Sequence, residues 1–176
     1  MSDSARSQLV ALLPRLRRFA RGLSRSVDQA DDLVQAACER ALSRLDQWTP
    51  GTRLDSWMFR IIQTIWLDQR RAAKVRGGDW VGDLETASAH LAEDGERRVE
   101  ARLTLDEVRR TVARLPDDQR IVLLLVSVEG ATYKEAAEIL GVPIGTIMSR
   151  LARARLAVTK AAADGDKGDD KVVKLG

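Results

Sequence analysis

The 176-residue sequence contains a single cysteine, Cys38, and a single histidine, His90, and it has no run of about twenty apolar residues. One cysteine excludes an internal disulfide framework, and one histidine argues against a histidine-rich metal site. No apolar secretory segment follows Met1, so we expect neither export nor a membrane anchor and place the protein in the reducing cytoplasm. The sequence also lacks a P-loop, a nucleophile elbow and a cluster of metal ligands. We therefore expect a protein that is not an enzyme and needs no cofactor or metal.

The charges of the sequence nearly balance, with 29 basic and 26 acidic residues, a formal net charge of +3 and a pI near 9.3. Such a chain is not a basic tail or a bulk nucleic-acid coat, so nucleic-acid binding would have to come from charge gathered on particular faces. The hydrophobic content of 44% is enough for one domain or two small ones with real cores.

Apolar residues recur with helical periodicity along nearly the whole sequence, and no stretch alternates convincingly like a strand. We therefore predict an all-α protein with two small helical domains, residues 1–76 and residues 99–162. Residues 77–98 are polar, acidic and glycine-containing, which is typical of a flexible linker. Residues 163–176 are rich in Gly, Asp and Lys and predict a flexible tail.

The first half of the second domain predicts two consecutive helices. Pro116, followed by Asp117 and Asp118, ends one helix and starts the next. Residues 121–126 are continuously apolar, so we expect the later helix to lie at the centre of its domain. The apolar stripe of the earlier helix comprises Leu105, Val108, Val112 and Leu115.

Residues 132–155, TYKEAAEILGVPIGTIMSRLARAR, have the pattern of a helix-turn-helix. Thr132 and Glu135 have the spacing of a capping box, so a helix should begin immediately after Thr132. Gly141 suits the left-handed conformation that ends a helix at low steric cost, and a Val-Pro turn follows it. In the next helix, the predicted packing face comprises Ile147, Leu151, Ala154 and Val158.

The polar face of that second helix comprises Thr146, Ser149, Arg150 and Arg153. Arginine can bridge two acceptors on guanine, and hydroxyl groups can hold phosphates, so this face has the chemistry that reading a DNA major groove requires. The alternative is an ordinary helical hairpin with a solvated basic face. Ala136 and the Gly-Val-Pro turn favour DNA reading, because they permit the close, near-perpendicular crossing of the motif.

A helix that opens at Asp31 and Asp32 in the first domain has one apolar face and one acidic face. The apolar face comprises Val34, Cys38, Ala41 and Leu45, so we interpret Cys38 as a small core residue rather than a nucleophile or sensor. The acidic face comprises Asp32, Gln35 and Glu39. It is either an ordinary solvated face or a surface on which a partner docks.

Residues 54–76 predict a long helix that is apolar on two sides and basic along the remaining strip. The core stripe comprises Leu54, Trp57, Met58, Ile61, Ile62 and Ile65, while Phe59 and Trp66 face the other way. The basic strip contains Arg60, Thr64 and Arg71, with Arg70, Lys74 and Arg76 extending it. A turn-rich loop before this helix is expected to expose Trp48 and Arg53. Basic residues interleaved with aromatics could hold phosphates and stack on unpaired bases. Alternatively the aromatic residues are simply core, which is our interpretation of Trp57.

Three motifs together resemble those of the extracytoplasmic-function (ECF) sigma factors, the minimal two-domain members of the bacterial sigma-70 class. DDLVQAACERAL resembles the family's D-L-V-Q-E-T-F-x-R-A-L helix. LDSWMFRIIQTIWLDQRR resembles W-L-x-R-I-x-x-N-x-x-x-D-x-x-R-R, and GVPIGTIMSRLARAR is similar to G-V-P-x-G-T-V-x-S-R-L-x-R-A-R. The order and spacing also match, and the resemblance covers nearly the whole chain except the linker and tail.

The resemblance implies that the first domain docks on core RNA polymerase and recognises and melts the −10 element, and that the second reads the −35 element. It assigns polymerase binding to Asp32, Gln35 and Glu39. It assigns −10 contacts to Trp48, Arg53, Arg60, Thr64 and Arg71. It assigns −35 contacts to Thr146, Ser149, Arg150 and Arg153. It further implies an anti-sigma factor as a partner.

The sequence departs from the family pattern at positions that bear on specificity. Thr64 replaces a frequent Asn in the melting helix, and Cys38 replaces a common aromatic residue. Ile144 and Met148 stand where many members carry charged residues, which removes two possible phosphate contacts. Promoter specificity in the second domain is therefore expected to rest on its hydroxyl and arginine face.

Two other functions are consistent with parts of the sequence. A sigma-like decoy would bind an anti-sigma factor and never touch promoters; such modules usually come joined to a receiver domain, which we do not find here, and have little need of a basic recognition face. A stand-alone helix-turn-helix repressor would not need the acidic stripe or the aromatic and basic helix. Tight binding of the isolated chain to duplex DNA without polymerase would favour the repressor.

Overall fold

The computed structural model describes residues 3–24, 26–49, 51–77 and 96–169, and all regular structure in these ranges is helical. The predicted all-α class is therefore confirmed. The helices are α1 (Asp3–Leu23), α2 (Val27–Ser43), α3 (Leu54–Val75), α4 (Glu96–Arg114), α5 (Asp117–Leu123), α6 (Tyr133–Leu140) and α7 (Ile144–Asp169). A 3-10 turn, Leu45–Gln47, lies between α2 and α3, and a π-helical turn, Leu124–Val128, follows α5.

Helices α1, α2 and α3 form the first helical block. Ser26 caps α2, because its hydroxyl oxygen accepts a hydrogen bond from the Gln29 backbone amide at 3.2 Å. The rings of Phe19 in α1 and Phe59 in α3 meet edge to face, with centroids 5.0 Å apart and an interplanar angle of 68°. Fully buried side chains from all three helices complete this core: Leu16, Leu23, Leu33, Met58 and Ile62.

Helix α3 is buried on two sides, so its aromatic residues are mainly core residues rather than exposed platforms for unpaired bases. Phe59 and Trp66 are 2% and 1% exposed, so both belong to the core although they face away from the predicted stripe. Phe59 packs on α1, and Trp66 lies under the guanidinium of Arg120 from α5. Trp57, which we assigned to the core, is only half-buried.

The second block comprises α4 to α7. As predicted, α5 begins at Asp117 after Pro116, and its apolar run is buried. After α5 the backbone continues as the π-helical turn, in which the Glu129 amide donates to the Leu124 carbonyl, five residues earlier, at 3.0 Å. Along α4 the predicted stripe does not pack throughout, since Leu105 is 47% exposed while Leu115 is 6% exposed.

The two blocks pack against each other, and one continuous cluster of buried residues runs through both. Helix α7 extends to Asp169, beyond residue 162 where the sequence predicted a boundary. Most of the predicted linker, residues 78–95, lies outside the described residues, as do residues 170–176 of the tail. None of the described helices is long and apolar enough to span a bilayer.

Candidate nucleic-acid and polymerase interfaces

The helix-turn-helix is built by local interactions that the sequence indicated. The Thr132 hydroxyl accepts a hydrogen bond from the Glu135 amide at 3.2 Å, and the Glu135 carboxylate accepts one from the Thr132 amide at 2.8 Å. Gly141 ends α6 with φ +65°, a left-handed conformation that a side chain would disfavour. Ala136 is fully buried, which lets α6 and α7 approach closely. The motif therefore places α7 in the position that the recognition helix takes in a helix-turn-helix.

The polar face predicted on α7 is only partly open to solvent. Ser149 and Arg153 are exposed, and the Ser149 hydroxyl donates to the Thr146 carbonyl at 3.1 Å. Thr146 and Arg150 are half-buried, and the Arg150 guanidinium pairs with the Asp118 carboxylate at 2.9 Å. Arg150 therefore points toward the start of α5, while Arg153 and Ser149 face outward.

The outward face of α7 also contains residues that we did not predict as contacts. Met148 is 52% exposed, Ile144 is 49% exposed, and Ala152 and Arg155 are exposed as well. Successive helical residues are 100° apart, so the centre of the exposed face lies opposite the buried Ile147, near Ser149 and Ala152. The sequence could have indicated this exposed face, because the predicted packing stripe already determines which residues of α7 lie opposite it.

The acidic stripe on α2 is fully accessible. Asp32, Gln35 and Glu39 are all exposed, and the Gln35 side-chain amide donates to the Glu39 carboxylate at 3.0 Å. Cys38 is half-buried at the edge of the packed face of this helix, and burial raises the pKa of its thiol. A raised pKa disfavours the thiolate, in agreement with our interpretation of Cys38 as a packing residue.

The loop before α3 exposes less aromatic surface than the sequence suggested. Trp48 is half-buried against the core, and its indole nitrogen is buried without a hydrogen-bond partner in the described part of the chain. On α3, Thr64 and Arg71 are exposed. The Thr64 hydroxyl donates to the Arg60 carbonyl at 2.8 Å, and Arg71 pairs with Asp68 one turn earlier at 3.2 Å.

The two remaining arginines assigned to the −10 element contact α6. Arg53 forms ion pairs with Glu135 and with Asp55, the latter at 2.8 Å. Arg60 donates to the backbone carbonyls of Glu138 and, at 3.1 Å, Ile139. The hydrogen bond from Arg53 lowers the pKa of Asp55 from 3.8 to about 2. Both guanidinium groups therefore link the first block to the helix-turn-helix.

Comparison with known protein families agrees with this arrangement. Residues 105–158 match the family described as Sigma-70, region 4, and residues 9–63 match the family described as the Sigma2 domain of PhyR. The fold and these two matches thus define an all-helical protein of the sigma-70 class.

Similar proteins narrow this class further. Over 155 residues, 88% of this chain and 83% of the relative, the chain is 38% identical to the ECF RNA polymerase sigma factor EcfG of Rhodopseudomonas palustris. Sigma factor RpoE of Bartonella quintana, solved in complex with the anti-sigma factor NepR, has a TM-score of 0.73 and 33% identity over 91% of this chain and 97% of its own. The PhyRSL-NepR complex from Sphingomonas sp. Fr1 has a TM-score of 0.59 and 26% identity over 92% of this chain and 90% of the matched chain. The chain belongs to the ECF sigma factors, which confirms the resemblance identified from its motifs.

Proposed function

We propose that this chain binds core RNA polymerase and directs it to specific promoters. In this proposal α2 docks on polymerase, α3 and the loop before it engage and help melt the −10 element, and α7 reads the −35 element. The observation that carries the proposal is that one chain exposes both an acidic, amide-bearing stripe on α2 and an arginine and hydroxyl face on α7. A stand-alone DNA-binding protein needs only the second surface, and a decoy needs only a surface for its anti-sigma partner.

The polymerase surface is supported by the chemistry of the α2 stripe. Asp32 and Glu39 present carboxylates and Gln35 presents an amide on one exposed helical face. Such a face complements a basic helical partner, and opposite charges across an interface favour fast and specific association. Docking through α2 leaves α7, which belongs to the other block, available for DNA.

The −35 surface is supported by the exposure of Ser149 and Arg153 on the recognition helix. The Arg150 Nε is engaged by Asp118, so Arg150 acts there through its Nη groups or after it exchanges Asp118 for a base edge. The pairing with Asp118 also fixes α7 against α5. Thr146, half-buried at the start of α7, contributes its hydroxyl to a phosphate, since its backbone amide already donates to the Pro143 carbonyl at 2.9 Å.

The −10 surface is supported by exposed Thr64 and Arg71 and by the two arginines that contact α6, Arg53 and Arg60. The basic side chains attract the phosphates of a melted strand, and Thr64 offers a hydroxyl to a base. In this proposal the half-buried Trp48 forms a wall of the base pocket. Flipping a base costs a few kcal/mol, which contacts in such a pocket offset.

The chain itself carries no catalytic role in this proposal. It uses binding energy to select and open DNA, while phosphodiester chemistry belongs to the polymerase, and this work takes place in the cytoplasm. Because its relative RpoE was solved with the anti-sigma factor NepR, we include an anti-sigma protein among the proposed partners.

A sigma-like decoy is the second candidate, and specific observations favour it. Residues 9–63 match the Sigma2 domain of PhyR, and the PhyRSL-NepR complex shares the fold. In a related complex PhyR is described as an anti-anti-sigma factor. Two observations argue against the decoy. The identity to EcfG, 38%, is higher than the 26% identity to the PhyRSL chain, and α7 carries exposed arginine on its outward face.

The proposal is tested by measuring the affinity of the purified chain for core RNA polymerase. Gln35→Ala combined with Glu39→Ala removes one amide and one carboxylate from the stripe and should weaken binding at least about tenfold, a loss of about 1.4 kcal/mol. Gln69→Ala combined with Asp68→Ala removes the same groups from an exposed face of α3 and should leave polymerase affinity unchanged. If the α2 double variant and the α3 double variant bound core polymerase with equal affinity, the docking assignment would be contradicted.

A further inference from the structure

Three apolar residues form an exposed strip along the N-terminal turns of α7. Ile144 is 49% exposed, Met148 is 52% exposed, and Ala152 is exposed as well. They are four positions apart, so each lies next to the previous one on the helix surface. Single exposed apolar side chains are ordinary, but a continuous group of them marks a surface that contacts another molecule. We call these three residues the apolar strip.

The apolar strip lies in a basic part of the chain. Residues 144–163 contain three arginines, one lysine and no acidic residue. Ser149 and Arg153 are exposed and directly follow two strip residues in sequence, so they lie about 100° further round the helix. The edges of a DNA groove carry negative phosphates, whereas the floor of the major groove consists of base edges that include thymine methyl groups. An apolar strip beside an arginine and a hydroxyl therefore complements a major groove.

Gly145 provides separate support for a close contact at this end of α7. It is exposed in the first turn, and a Cβ atom placed on it would meet no atom within 4 Å. Its φ lies outside the left-handed region, so neither packing nor backbone conformation requires glycine here. Glycine is less favourable in a helix than any residue except proline. A bare backbone at this position permits close approach of another molecule beside the apolar strip.

We propose that Met148 and Ala152 select thymine by apolar contact with its C5-methyl group, beside the polar contacts of Ser149 and Arg153. This inference rests on the proposed −35 role of α7 and specifies how part of that element is chosen. Of the four bases only thymine presents a methyl group in the major groove, so an apolar side chain there distinguishes thymine from the other bases.

The spacing within the apolar strip limits how many methyl groups it reaches. Met148 and Ala152 are four residues apart, which is about 6 Å along a helix axis. Neighbouring base pairs are about 3.4 Å apart along DNA. The two side chains therefore reach the methyl groups of one thymine or of two neighbouring thymines, and we expect an A·T pair, or two adjacent ones, within the −35 element.

The first test is the sequence that the full chain selects when it is bound to core polymerase. Fragments of genomic DNA are enriched by binding to this complex and then sequenced, and the shared upstream element is compared between fragments. We expect the element to contain an invariant A·T pair. An upstream element made only of G·C pairs would overturn the inference alone. Absence of any shared element would overturn the proposed promoter function, and the inference with it.

The second test removes the methyl group from the DNA. Deoxyuridine pairs like thymidine and lacks only the C5-methyl group, so each thymine of the selected upstream element is replaced by it in turn. For the parent complex, at least one replacement should weaken binding about fourfold, the factor that corresponds to burial of about one methylene group. Met148→Ala should bind the two DNAs equally at that position, because its truncated side chain no longer reaches the methyl group. Unchanged parent affinity at every position would overturn the inference while the promoter function stands.

Two further variants separate methyl contact from a general effect on α7. Leu156→Ala is the matched control, because Leu156 is 72% exposed on the same helix but lies about 12 Å further along the axis than Met148. It should keep the full response to deoxyuridine. Met148→Leu retains an apolar side chain and should keep the response as well. Equal responses in Met148→Ala and the parent would overturn the inference. If Met148→Ala instead lost self-association of the chain in sedimentation equilibrium, the apolar strip would be a contact between copies.

Discussion

Arg120 is the residue whose loss we expect to be most damaging, although it contacts neither DNA nor polymerase in our proposal. It is 3% exposed and donates to backbone carbonyls at the end of α4, including Val112 at 2.9 Å and Leu115 at 3.3 Å, as well as to Leu23 at 3.0 Å. Its guanidinium also lies 5.7 Å from the ring centroid of Trp66. One side chain thus donates to carbonyls at the C-terminal ends of two helices, where most carbonyls have no partner within their own helix.

The expected cost follows from these contacts. Hydrogen bonds from a charged donor contribute about 1.5–3 kcal/mol each, but burying the guanidinium opposes this by several kcal/mol. Arg120→Met keeps a long side chain and removes every donor. We expect it to lower the free energy of unfolding by about 3–5 kcal/mol, because each buried carbonyl left without a donor costs about 1–3 kcal/mol. The assay is urea unfolding followed by far-ultraviolet circular dichroism.

A matched control separates this effect from simple loss of an arginine. Arg110, an exposed residue of α4, pairs with Glu107 at 2.9 Å, and Arg110→Met should change stability by less than about 0.5 kcal/mol. A loss below about 1 kcal/mol for Arg120→Met would refute the reasoning, because it would mean that the carbonyls find other partners at little cost.

Three further predictions follow from the site. Thr132→Ala removes the N-cap of α6 and should cost about 1 kcal/mol of stability in thermal or urea unfolding; an unchanged midpoint would contradict the capping role. Since the folded-state pKa of Asp55 is about 2, below 3.8, its carboxylate stabilises the fold above about pH 4 and this stability is lost as the pH falls toward 2. Asp55→Asn should therefore reduce the dependence of the free energy of unfolding on pH between about pH 4 and pH 2. An unchanged dependence would contradict the lowered pKa of Asp55. Arg150→Ala and Arg153→Ala should each weaken discrimination of the −35 element by about 1–3 kcal/mol in competition binding; a variant with unchanged discrimination would be removed from the proposed site.

The parts of the structure that the sequence predicted are those determined by nearby residues. The capping box of α6 needs Thr132 and Glu135, which are three positions apart, and the helix ends where Gly141 permits it. The exposed stripe of α2 likewise follows from the regular spacing of its apolar and acidic residues along one helix.

The parts that the sequence did not predict depend on contacts between distant residues. Arg60 lies 79 positions from Ile139, and Arg18 lies 111 positions from Glu129, so helical periodicity within either segment carries no information about these pairs. The pairing of Arg150 with Asp118 could not be predicted for the same reason. A helical wheel shows on which side of a helix a residue lies, but it does not show which residue of another helix it contacts. The π-helical turn arises in a continuous apolar run, where periodicity gives no signal.

The central claim is that this ECF sigma factor directs polymerase to promoters rather than only occupying an anti-sigma protein. The most direct measurement is run-off transcription from a pool of genomic promoters with purified core polymerase, with and without the chain. We predict discrete new transcripts that share upstream sequence, and fewer of them with Arg153→Ala. No new transcripts, from a chain that nevertheless binds an anti-sigma partner, would contradict the account and favour the decoy.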